Sequence, residues 1–244
     1  MKPFLLVATR PEDAAADSEY EAFLRYGGLT EDQLVRIRLE STPLPPLDLD
    51  DWSGIMLGGS PFTSSIPEEH KSDTQLRVEH ELGRLLEVLI PADYPFLGAC
   101  YGVGTLARHL GATLDGTYSE PISAATIEVT AEGAADPLLE GFPDSFQAFV
   151  GHKEAASHLP DGAVLLARGE ACPVQMFRVR TNLYGTQFHP ELDVHGILER
   201  IRIYRDAGYF DPAEQAQVEA SVRDVEITVP QRILANFVNR YARD

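Results

Sequence analysis

The sequence predicts an α/β protein: a mostly parallel central sheet with helices on both faces, a small antiparallel extension and a helical C-terminal tail. Three observations predict it. Short unbroken apolar runs alternate with helix-like segments as far as Gly111, the pattern of parallel strands buried on both faces. Between Gly111 and Asp193 several strand-like runs follow one another with few helices between them. Beyond Asp193 the pattern becomes helical again.

Taken in order, Phe4-Leu5-Leu6-Val7-Ala8 is a short apolar run typical of a central strand. Residues 17–26 are helix-like and stop at Gly27-Gly28. Residues 34–39 alternate as a second strand, and 43–51 form a Pro/Asp-rich loop. Gly54-Ile55-Met56-Leu57 is a third strand running into Gly58-Gly59-Ser60-Pro61. Residues 71–90 carry leucines near helical spacing, and Phe96-Leu97 leads a fourth strand. Strand-like runs follow at 122–130, 145–150, 164–167, 173–179 and 183–187. A helix is expected over 193–206. Asp211-Pro212 and Thr228-Val229-Pro230-Gln231 read as the starts of two more, the last ending at Tyr241. No repeat, low-complexity tract or linker interrupts the 244 residues, so one domain is expected, with a core over 1–193 and a helical extension over 194–244.

The formal net charge of −18 argues against nucleic acid, because a phosphate-binding face needs clustered Lys and Arg. No apolar run approaches membrane-spanning length, and the first apolar run is too short for a secretory signal. Two cysteines, Cys100 and Cys172, then point to reduced thiols and a cytoplasmic protein. No His/Cys pair has metal-ligand spacing, and no glycine motif fits a phosphate cradle, so neither a metal nor another cofactor is expected. Cys172 reads as a small core hydrophobe.

Three local patterns could carry chemistry. In Leu97-Gly98-Ala99-Cys100-Tyr101-Gly102 the cysteine sits on a sharp strand-to-helix turn framed by small residues, which would leave its side chain exposed at a helix start. A thiol in that place gains thiolate character. Gly185-Thr186-Gln187-Phe188-His189-Pro190-Glu191 ends a strand in a histidine followed by a carboxylate that could orient it. Gly58-Gly59 lies at a third strand end, where a glycine N–H can point into a site. All three fall at the C-terminal ends of proposed strands, where open α/β sheets place their ligands.

Together these patterns resemble the class I, or triad, glutamine amidotransferases, over residues 4–193. The resemblance implies a flavodoxin-like sheet. It also implies a Cys100 nucleophile, His189 as general base and acid, and Glu191 as the carboxylate that orients His189. Backbone amides of Gly59 and Tyr101 would hold the oxyanion. Gly58, Gly104 and His152 would be at the substrate, with residues 151–154 forming the loop that closes over it. The family commonly carries Gln where this chain has Gly104, four residues past the nucleophile, so a larger γ-glutamyl peptide or conjugate could fill the space. No synthase domain is evident, so liberated ammonia would need a separate acceptor subunit. Three functions follow: glutamine amide hydrolysis, a stand-alone γ-glutamyl peptidase or hydrolase, and a non-catalytic binding or regulatory protein on the same fold. The helical tail is expected to cap the sheet.

Overall fold

Every residue of β1 (Phe4–Ala8) is buried, because helices cover both faces of the sheet it centres. The computed structural model describes residues 1–244. After β1 come α1 (Asp13–Gly27), β2 (Leu34–Arg38), β3 (Gly54–Leu57), α2 (Asp73–Ala92), β4 (Phe96–Ala99) and α3 (Tyr101–His109). The middle of the chain holds β5 (Leu114–Asp115), β6 (Glu120–Val129), α4 (Ala131–Ala134), β7 (Ser145–His152), β8 (Ala155–Ala156), β9 (Ala163–Gly169), β10 (Met176–Val179) and β11 (Leu183–Thr186). The tail holds α5 (Val194–Ile203), α6 (Gln215–Arg223) and α7 (Arg232–Tyr241).

One sheet runs in the order β2-β1-β3-β4-β11-β10-β9-β6-β7. The strands from β2 to β11 are parallel and form the core; β10, β9, β6 and β7 continue it antiparallel. The period of two along each strand divides the core. Leu5, Val7, Ile55, Leu57 and Phe96 pack under α2 and α3 on one face. Phe4, Leu6, Met56 and Leu97 pack under α1 and α7 on the other, with Ile233, Leu234 and Phe237 of α7 in the same cluster. The tail therefore contributes side chains to the main core.

The chain departs from the sequence pattern in a few places. The helix expected over 193–206 ends at Ile203, where the Tyr204 ring turns inward to accept from Arg10 Nη1 at 3.2 Å, and Gly208 takes a positive φ of 78°. Asp211 caps a 3-10 turn over Pro212–Glu214, accepting from Ala213 N at 2.9 Å, and α6 begins only at Gln215. Thr228 does not cap the last helix. The buried Gln231 amide donates to the Leu192 carbonyl at 2.6 Å, and α7 starts after it. No helix is long and apolar enough to cross a membrane.

Candidate active site

The parallel register brings Gly98 of β4 beside Gly185 of β11 and Leu57 of β3, so the ends of three strands share one rim. At that rim Cys100 caps α3 with φ 51° and ψ −92°, a conformation costly for a side-chain-bearing residue. The turn is held by Cys100 N donating to Thr186 O at 2.7 Å. It also depends on close backbone approach: a Cβ at Gly98 would lie 2.7–2.9 Å from the Gly102 backbone. The Tyr101 N–H follows at the first helical position, one of the donors a helix leaves unpaired at its start.

His189 and Glu191 follow β11. His189 Nδ1 and Glu191 Oε1 are 2.7 Å apart and buried. Cys100 and His189 line the same small cavity, so the three predicted side chains gather at one place. Burial alone would lower the His189 pKa, but the Glu191 and Cys100 charges and their hydrogen bonds push it up to about 9. Burial would raise the Glu191 carboxyl; His189, and then Arg200, hold it well below the usual carboxylate range.

Two cavities flank Cys100. One, of about 20 Å³, reaches Gly104, Leu114, His152, Glu154 and Gln187. The other, of about 30 Å³, reaches His189, Arg10, Arg200 and Tyr204. Tyr209, from the segment after α5, walls both. Lys153 holds that segment, donating to Ala207 O at 3.3 Å and lying 4.8 Å from the Tyr209 ring centre.

Three expected substrate or oxyanion positions differ from expectation. The Gly59 N–H is not free beside the sulfur: it donates to Glu19 Oε1 at 3.2 Å, because a buried carboxylate draws every donor within reach. Gly58 lines neither cavity; its N–H donates to Val7 O at 3.1 Å, and a Cβ there would meet Glu19. Gly104 does line a cavity, but a narrower one than expected: a Cβ would lie 3.3 Å from one atom, Leu114 Cδ1.

His152 is buried at the end of β7 rather than on a surface loop, and both ring nitrogens are engaged, Nδ1 with Glu154 O at 3.0 Å and Nε2 with Glu120 Oε2 at 2.9 Å. Glu120 also accepts from Gln175 Nε2 at 2.6 Å. The donors that could hold a metal are here, since Glu120, His152 and Cys172 ligand atoms lie within 4.8 Å of one another. Glu120 and His152 are joined by a hydrogen bond, and burial pushes the Cys172 thiol up to about 12. Arg10, Glu19, Arg200, Tyr204 and Tyr209 also lie at the site without any sequence signal, because each arrives through tertiary packing rather than through a local motif.

Comparison with known proteins identifies the family. The family model "Glutamine amidotransferase class-I" matches residues 32–196, more than half of the chain. The "GMP synthase [glutamine-hydrolyzing]" of Streptomyces avermitilis is 35% identical over 130 residues, covering 51% of this chain and 24% of that protein. That of Salmonella typhimurium is 31% identical over 149 residues, covering 57% and 25%. The chain thus spans about a quarter of the length of these relatives. A glutamine amidotransferase from Thermotoga maritima superposes with a TM-score of 0.78 at 20% identity, covering 99% of this chain and 98% of the other. One from Methylobacillus flagellatus gives 0.72 at 19%, covering 100% and 97%. The sheet order, the cysteine turn and the match over residues 32–196 place this chain in the class I glutamine amidotransferase family.

Proposed function

We propose that this protein hydrolyses the side-chain amide of glutamine through a γ-glutamyl thioester on Cys100 and releases ammonia. The observation that carries the reading is Cys100 at a strained helix start, sharing a cavity with a His189 paired to Glu191 at 2.7 Å. The Cys100 sulfur attacks the amide carbon. The developing oxyanion is met by the Tyr101 N–H, and by Gly59 once its N–H leaves Glu19. His189 gives its proton to the amide nitrogen, the C–N bond breaks and ammonia departs. Water, deprotonated by His189, then opens the thioester, and glutamate and the free thiol return. Glu191 fixes the imidazole and stabilises its charged form, the role its pairing supports.

The relatives, glutamine-hydrolysing GMP synthases, support a synthase active site as the acceptor of the ammonia. The γ-glutamyl peptidase reading needs room beside Gly104, which lines one of the cavities and where a Cβ would meet a single atom, Leu114 Cδ1 at 3.3 Å. The glutamine-hydrolysing relatives favour the simple amide. The test is ammonia release from glutamine and from γ-glutamyl dipeptides by wild type and Cys100→Ala, with a diazoketone analogue of glutamine as trap. Expected are release that depends on Cys100 and a mass adduct on Cys100. Faster turnover of the dipeptides would favour the peptidase. A Cys100 that neither reacts with the trap nor alkylates faster than a free thiol would favour the non-catalytic protein.

A further inference from the structure

Four charged side chains are buried together behind the site. Arg10 Nε donates to Glu19 Oε1 at 2.9 Å. Arg200 Nη2, from α5 in the tail, reaches the same oxygen at 3.3 Å and Glu191 Oε1 at 3.6 Å. The side chains of Arg10, Glu19, Arg200 and Glu191 are 3%, 0%, 6% and 0% exposed. Such a cluster is poor value for stability alone, since buried ion pairs are often matched or exceeded by apolar side chains of similar size. Its placement suggests another use. Glu191 Oε1 is gripped from two sides, by His189 and by Arg200, while Glu191 Oε2 and Arg200 Nε have no partner. Glu19 in turn holds the Gly59 N–H. One guanidinium therefore spans the carboxylate of the histidine pair and the carboxylate that ties down the glycine loop after β3.

We propose that Arg200 is a positioning residue: it fixes the Glu191 carboxylate against His189 and, through Glu19, couples that carboxylate to the Gly59 loop after β3. This rests on the amidase reading for its link to turnover, but not for its geometry. One nitrogen, Nη2, makes both contacts, and a lysine could not replace it fully, because its shorter stem carries the charge to a different place. The groups facing His189 are Glu191, Cys100, Arg200, Arg10, Tyr204 and Tyr209. Of these, Arg200 and Arg10 are the cations, and Glu191 is the carboxylate paired with the imidazole.

The experiment compares Arg200→Gln and Arg200→Lys with wild type by steady-state glutaminase kinetics, by pH profile and by NMR titration of the His189 ring. Expected for Arg200→Gln is a fall in kcat of at least tenfold with KM changed less than about threefold. The descending limb of the pH profile and the His189 titration should both move to lower pH, because a Glu191 carboxylate no longer held against the imidazole favours its proton less. Arg200→Lys should lose kcat several-fold while its His189 titration stays near wild type. A folded Arg200→Gln with unchanged kcat and an unmoved His189 titration overturns the proposal. So does a lower melting temperature as its sole effect. Should Arg200→Gln not fold, wild-type kcat in Arg200→Lys overturns it equally. If wild type shows no Cys100-dependent activity, the amidase reading fails. A His189 titration moved to lower pH in Arg200→Gln would then still uphold the positioning role, and one moved to higher pH would overturn it.

Discussion

At the scale of single residues, the charge on His189 decides the pH behaviour. Its pKa is raised to about 9 by Glu191 and Cys100 against the pull of burial. A raised histidine contributes stability that is complete below its unfolded pKa of about 6.5 and is lost as pH climbs through about 9. We predict that kcat/KM falls along a limb centred near pH 9, and that wild type loses more denaturant resistance between pH 6.5 and 9.5 than His189→Gln does. Equal losses in the two proteins would reject the assignment. Cys100→Ala should lower ammonia release at least a thousandfold, the usual cost of removing a nucleophile, with the melting temperature little changed. Cys100, His189 and Glu191 could be proposed from sequence because each lies in a short motif whose chemistry is local. The Glu19 hold on Gly59 could not, since a carboxylate 40 residues upstream leaves no mark on the Gly58-Gly59 pair.

At the scale of elements, β4 and α3 work as one piece. A Cβ on Gly98 would fall 2.7–2.9 Å from the Gly102 backbone, so Gly98→Ala must push the strand and helix apart. We expect that variant to lose activity at least a hundredfold and to unfold at lower denaturant, by roughly 2 kcal/mol from overpacking. An active, equally stable variant would show that the turn tolerates more than its geometry suggests. Apolar strands read correctly from sequence because both faces of the parallel sheet are covered, and unbroken apolar runs follow. The two-residue strands β5 and β8 and the single turn of α4 did not, as elements of that length have no period to detect. The final helix was placed too early because Thr228 has the chemistry of a cap, while the buried Gln231 contact that sets the true start is made with Leu192, far back in the chain.

At the scale of the whole molecule, we propose that the tail and the preceding residues form one folding unit. Phe237 of α7 packs on Phe4 of β1 with ring centres 6.0 Å apart, inside the cluster shared by β1, β3 and β4. Phe237→Ala should cost about 3–5 kcal/mol. Unfolding followed by far-ultraviolet circular dichroism and by Trp52 fluorescence should remain a single coincident transition, and two separated transitions would divide the molecule at the tail. The wall that Tyr209 builds has a further consequence. The ring lines both spaces beside a partly exposed Cys100, so it covers part of the approach to the sulfur. A ring in that place screens the thiol from oxidants. Tyr209→Ala should therefore give a protein whose Cys100 ages in air, accumulating sulfenic and sulfinic acid days before wild type does; equal shelf life by intact mass would mean that the ring guards nothing.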